Sequence, residues 1–189
     1  REDKCSAGLL STIAQAKHAG AYLSDDECVA LATQIFVAGN ETTTSLISNL
    51  VWRLLTNQGL WDKLCKREID TDDAINESLR FDPPLLGLFK TTSREVIIDN
   101  VKIPAGTKVM MHYGAANRDP NVFESPHLFN VKRNGKKQLS FSIGLHVCLG
   151  RELAKLEARV ALNALREKFP DLTLLGDGER VGPFLFWGR

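Results

Sequence analysis

Apolar residues recur at helical spacing through most of the chain and give way to shorter runs past its midpoint. Residues 6–17 predict a helix that ends near Gly20. Ser24 and Glu27 form the pattern Ser-x-x-Glu, a capping box that opens a long helix. From Cys28 to Trp52 Glu41 is the one charged residue. Thr33, Gln34, Asn40, Thr42, Thr43, Thr44, Ser45, Ser48 and Asn49 make this stretch too polar for a membrane span. It predicts instead a helix buried through the middle of a globular core. A shorter helix is expected over about 60–66. Thr71-Asp72-Asp73 then marks another N-terminus, its acids suited to the helix dipole. That helix reaches Arg80 and stops before Pro83-Pro84.

From Arg94 the signal turns to strand. Val96–Ile98 and Val101–Ile103 flank Asp99-Asn100, a hairpin turn candidate. Pro104-Ala105-Gly106 forms a second turn before a strand over Thr107–Tyr113. Near the end Leu153, Leu156, Val160 and Ala164 recur at helical spacing, with Leu162, Leu165 and Phe169 as a neighbouring stripe. The expected fold is mainly α with a small antiparallel β-sheet.

Composition narrows the class. The chain has 189 residues, 43% hydrophobic and 25% charged, as soluble globular domains do. A formal net charge of +1 gives no basic field for nucleic acid. Cys5, Cys28, Cys65 and Cys148 are scattered and form no C-x-x-C pair. That argues against a zinc site or a disulfide framework and fits a reducing cytoplasm. Arg1-Glu2-Asp3-Lys4 is charged and carries no apolar signal region or membrane anchor.

Three places carry candidate chemistry. Ala38–Thr44 is a poor helix sequence inside a good one; Gly alone costs roughly 1 kcal/mol against Ala. It predicts a bulge or kink, with Gly39 allowing close approach to the backbone. Glu41 and Thr42 would there set an acid and a hydroxyl in an apolar interior. A salt-bridged Glu beside threonines bonding to their own helix explains the same residues. Glu77 and Arg80 stand at i,i+3, which in isolation reads as an exposed ion pair of small worth. Cys148 lies in a glycine-rich loop just before a helix, where N–H groups and the dipole favour a thiolate. A lone cysteine is equally a small buried residue.

The full pattern Phe141-x-x-Gly144-x-His146-x-Cys148-x-Gly150, followed by a helix, resembles the haem-binding loop of the cytochrome P-450 haem-thiolate monooxygenases. Ala38-Gly39-x-Glu41-Thr42, Glu77-x-x-Arg80 with Phe81–Pro84, Ile103–Thr107, Ala116–Pro120 and the meander Phe123–Arg133 follow in family order. The resemblance runs from about Leu9 to Arg189 and covers the C-terminal half of a complete member. It implies one domain over residues 1–189, the haem-binding portion, lacking an N-terminal half. An uncovered long helix would then expose a large apolar surface.

The resemblance also implies the roles. Haem b would take Cys148 as its iron ligand, with Phe141 packed beside the thiolate and Gly144 and Gly150 shaping the loop. Gly39 would leave room for dioxygen and substrate, and Glu41 and Thr42 would relay protons for oxygen activation. Lys90, where the family commonly has Arg, and His146 would hold propionates. Glu77 and Arg80 would be structural, tying down the Cys loop. The position before Phe129, often an Arg completing a triad with that pair, is Leu128. The implied activity is monooxygenation of a small organic substrate with a ferredoxin- or flavin-type electron donor. Lys132, Arg133, Lys136, Lys137, Arg151 and Lys155 would form its docking patch. Two rivals stand beside it. One is a haem-thiolate enzyme that uses peroxide or rearranges its substrate, against which the Glu41–Thr42 pair argues. The other is an inactive remnant that binds haem and needs a missing half.

Overall fold

A computed structural model describes residues 8–133, 137–176, 178–180 and 185–188. It is mainly helical, with small antiparallel ribbons. The backbone groups into two compact units, one up to Glu41 and one from Thr42 onward.

The first unit opens with helix α1, Leu9–Ala14. This is shorter than the predicted span, whose first residues lie outside those described. Strands β1 (Lys17–His18) and β2 (Ala21–Tyr22) pair through a turn with Ala19 and Gly20 at positive φ. Helix α2 spans Asp25–Thr56 and its first half belongs to this unit. The capping box forms as read. The Ser24 N–H donates to Glu27 Oε2 at 2.7 Å, and the Glu27 N–H donates to Ser24 Oγ at 3.2 Å. The backbone bond from Ser24, then its hydroxyl, holds the Glu27 carboxyl below its ordinary pKa.

Two expectations for α2 need correction. The helix continues without a break through 38–44. Once a helix is nucleated each added residue brings a hydrogen bond, and good formers on both sides carry the weak stretch. Burial through a core is also not found in the first half. Val29, Leu31, Ile35, Phe36 and Val37 are exposed. A Cβ on Gly39 would meet nothing within 4 Å.

The second unit holds the core. Leu46, Leu50 and Leu54, spaced by one turn along α2, are no more than 1% exposed. Each such burial is worth about 1.5–3 kcal/mol. They pack with Trp61 and Leu64 of α3 (Leu60–Cys65), and with Ala74, Ile75 and Leu79 of α4 (Thr71–Phe81). Ile69, Val131 and, from the last helix, Ala158 and Leu162 complete the cluster. Asp70 caps α4, accepting the N–H groups of Asp72 and Asp73.

β3 (Gly87–Thr91) pairs antiparallel with β6 (Lys108–His112), and Lys90 faces Val109 across the ribbon. β4 (Val96–Ile98) and β5 (Val101–Ile103) form the predicted hairpin, with Asp99 and Asn100 at φ 49° and 65° as a type I′ turn requires. A Cβ at Gly87 would lie 2.4 Å from the Met111 carbonyl, so β3 can meet β6 there only with glycine. A short helix, α5 (Tyr113–Ala116), follows β6.

Helix α6, Arg151–Lys168, lies directly behind the Cys loop, as read. Of its two apolar stripes the core takes the one that carries Leu162 and Leu165. Ala158 and Leu162 are buried and Leu165 packs on the core, whereas Leu153, Leu156, Val160 and Phe169 are exposed. At ~100° per residue the Leu153–Leu156–Val160 stripe falls opposite the Ala158–Leu162–Leu165 face. Arg159 grips Asp72 through two bonds of 2.8 and 3.0 Å, tying α6 to α4. Among the described residues no helix is long and apolar enough to cross a membrane.

Candidate functional site

The loop between Phe141 and α6 is closed by one bond. The Cys148 N–H donates to the Phe141 carbonyl at 2.8 Å. Inside it Gly144–His146 make a single 3-10 turn, and the Val147 N–H donates to the Gly144 carbonyl at 3.1 Å. Gly144 has φ 73°, a left-handed conformation that needs glycine. Gly150 precedes α6 at φ −85° and a Cβ there would meet nothing, so neither backbone nor packing demands it. Phe141 is half-buried against the core, with the Lys155 ammonium 5.9 Å from its ring centre.

Cys148 is exposed, three residues before Arg151, where α6 begins. Its neighbours Leu145 and Leu149 are 101% and 98% exposed. The nearby N–H groups of Val147, Cys148 and Arg151 go to the carbonyls of Gly144, Phe141 and Cys148. His146 is exposed on the 3-10 turn. The loop thus presents an accessible soft sulfur with no Cβ from Gly144 or Gly150 and bare apolar side chains around it. That donor and that surface fit a thiolate ligand to a flat apolar cofactor such as haem.

The loop hangs from a buried junction on α4. Glu77 and Arg80 are each 0% exposed, not the surface pair that their spacing alone implies. Arg80 Nε donates to Glu77 Oε2 at 2.8 Å and Nη2 to Oε1 at 2.7 Å. Its remaining N–H groups reach the carbonyls of Asn117 and Pro126 at 2.9 Å and of Leu128 at 3.0 Å. All five guanidinium donors are therefore used. The Asn130 N–H donates to Glu77 Oε1 at 2.8 Å.

Asn117 carries the junction to the loop. Its Oδ1 accepts the Leu139 N–H at 2.7 Å, and its Nδ2 donates to Ser140 Oγ at 2.9 Å. Ser140 Oγ in turn donates to the Leu79 carbonyl at 2.6 Å. Asn117 is fully buried, and sequence reading named it only as part of the Ala116–Pro120 run.

Sequence reading also missed Arg133. It supplies the third charge of the junction, Nε lying 3.5 Å from Glu77 Oε1, and it donates to the carbonyls of Glu124 and Ser125. The cation sought before Phe129 sits at 133, and Leu128 contributes its carbonyl instead. Arg133, 11% exposed, is thus withdrawn from the expected docking patch. Lys132, Lys137 and Arg151 are exposed and Lys155 is half-buried; Lys136 lies outside the described residues.

The remaining predicted residues stand elsewhere. Lys90 is exposed on β3. Gly39 and Glu41 are exposed in the first unit, so Glu41 is not the buried acid expected. Thr42 is half-buried at the start of the second.

A sequence model of the cytochrome P450 family matches residues 71–174. The chain is 39% identical over 170 residues to cytochrome P450 107B1 of Saccharopolyspora erythraea, covering 88% of this chain and 41% of that protein. It is 37% identical over 175 residues to the vitamin D(3) 25-hydroxylase of Pseudonocardia autotrophica, covering 92% and 43%. Among solved structures it superposes with a TM-score of 0.90 and 32% identity on HmtN, a post-tailoring hydroxylase of himastatin biosynthesis, covering 97% of this chain and 50% of that one. The chain spans about two fifths of the length of these curated relatives. It belongs to the cytochrome P450 family.

Proposed function

We propose that this cytochrome P450 chain is the thiolate-bearing part of a monooxygenase and that Cys148 is the ligand to haem b iron. When bound, the haem supplies the oxidation. With two electrons and two protons, one atom of dioxygen enters an organic C–H bond as hydroxyl and the other leaves as water.

The chain's own residues hold and supply that chemistry. The Cys148 loop presents the sulfur, with Phe141 backing it from the core and Gly144 setting the turn. Lys90 and His146 offer a charge and a ring N–H to the propionates, Lys as a point charge without the bidentate fork of Arg. Glu41 and Thr42 deliver the protons, and Gly39 leaves space beside them. Glu77 and Arg80 keep the loop in place through Asn117. Two relatives named as hydroxylases support a small organic substrate. An acidic ferredoxin- or flavin-type protein would deliver electrons at Lys132, Lys137 and Arg151.

The observation that carries this reading is the exposed Cys148 on a glycine turn, anchored to α4 by the Asn117 bridge. The test is spectroscopic. The haem-loaded chain, reduced under carbon monoxide, is expected to show the long-wavelength Soret band of thiolate ligation, and Cys148→Ala to lack it. Haem uptake without that band in the unaltered chain would overturn the assignment. A second reading, a haem-binding fragment with no turnover of its own, is favoured by the exposed apolar faces of α2 and α6. The band without product formation from any supplied electron source would select it.

A further inference from the structure

A second buried carboxylate lies just past the Glu77 junction and has no part in the reading above. Asp82 ends α4 and is 1% exposed. Three guanidiniums converge on it from remote parts of the chain. Arg53 Nε of α2 is 2.6 Å from Oδ2, and Arg180 Nη2 is 2.8 Å from Oδ1. Arg118 Nη2 stands 3.9 Å from the same Oδ1. The Trp187 indole N–H donates to it at 3.4 Å.

Flat groups separate the cations. Arg53 and Arg118 lie 4.5 and 4.6 Å from the centre of the Phe81 ring, with Arg80 at 5.3 Å, and Arg180 stacks 3.8 Å over Trp187. Buried Asn49 of α2 donates from one nitrogen to the carbonyls of both Asp82 and Trp187. Residues 185–188 lie along the segment that leaves α4. The Trp187 N–H donates to the Pro84 carbonyl and the Leu86 N–H to the Leu185 carbonyl, both at 2.8 Å. Strand β3 starts at the next residue, Gly87.

Shape alone does not account for this arrangement. Three cations held 19–28% exposed repel one another, and one anion faces all three. Burial pulls the Arg118 pKa down; Asp82 opposes this, while Arg80 and Arg53 add to it. Burial alone would raise the Asp82 carboxyl. The hydrogen bond from Arg53, the charges of Arg53 and Arg180 and the indole N–H outweigh it and hold the group below its ordinary value.

We propose that the charge on Asp82 holds residues 185–188 across the exit of α4, and so fixes where β3, the strand bearing Lys90, begins. Asp82 is thus a positioning residue that acts through the C-terminal segment. The side chains that meet the Asp82 carboxylate are Arg53, Arg118, Arg180 and Trp187, and none of these is a carboxylic acid.

The test is amide hydrogen exchange on the full chain, comparing wild type with Asp82→Asn, which keeps the shape and removes the charge. The Trp187 and Leu86 amides are expected to lose protection by about a hundredfold, while interior amides of α4 and α6 change little. Wild type should lose the same protection as pH falls through the depressed Asp82 pKa, and the variant should not respond. Unchanged protection in Asp82→Asn, or an even loss through α4 and α6, overturns the proposal. If that variant does not fold, Arg180→Gln carries the test. Faster exchange at the same two amides supports the proposal, and wild-type rates overturn it.

Discussion

Arg80 and Cys148 stand at opposite ends of one hydrogen-bonded path and could hardly be treated more differently. Every N–H of Arg80 is bonded in an environment with no solvent access. Cys148 is exposed, and its loop is closed by a backbone bond to Phe141. The difference separates two tasks. A saturated ionic junction has one geometry, because any shift strands a desolvated charge. An exposed loop on that anchor can be held at its ends while its face stays open to a ligand. Rigidity in this chain sits beside the candidate site rather than in it.

The sharpest way to break the comparison is Glu77→Ala. It leaves Arg80 buried without its counter-charge and is expected to cost about 3–5 kcal/mol, read as a fall in the urea midpoint. A loss below about 1 kcal/mol would mean that the junction is not the anchor described. Gly87→Ala should come next, at about 1–3 kcal/mol, because the new Cβ would meet the Met111 carbonyl. Gly144→Ala should cost about 1–2 kcal/mol through its left-handed backbone, and should also slow haem uptake.

Cys148→Ala should leave the unfolding midpoint where it is and remove the carbon monoxide band, since the side chain makes no packing contribution to the core. Any marked destabilisation would show that the loop is more than a presented ligand. Last comes the pH response of Asp82. The Asp82 pKa is lower folded than unfolded. Its contribution is therefore complete above the unfolded value, about 3.9, and is lost as pH falls through the folded one. Thermal melts of Asp82→Asn against wild type should converge in acid and separate above it.

What the sequence disclosed was local. The Ser24–Glu27 capping box, the Asp99–Asn100 turn, the start of α4 and the spacing of the Cys loop are each written within a few residues. Arg133 was missed because its partner Glu77 is remote in the chain, and a search one position before Phe129 found Leu128. The packing face of α6 was ambiguous because the helix carries apolar stripes on opposite sides, and periodicity does not say which one the core takes. β3 escaped for a similar reason. Gly87-Leu88-Phe89-Lys90-Thr91 alternates poorly, and its pairing with β6 is a long-range fact. The Ala38–Thr44 lapse was legible as weak helix and overread as a break.

The Glu77 junction also constrains the order in which the chain can fold. Glu77 and Arg80 meet across one turn of α4, but the carbonyls and N–H groups that complete them come from residues 117–133. Until that segment arrives the pair can be hydrated but not buried. The C-terminal turn of α4 therefore stays unsettled while four ribbon strands form between it and its partners. Closing so long a loop is entropically slow, and once closed it satisfies several groups at once. Helix α4 and the meander should thus gain exchange protection together and late, as one cooperative unit, with the Cys148 loop ordered only after them.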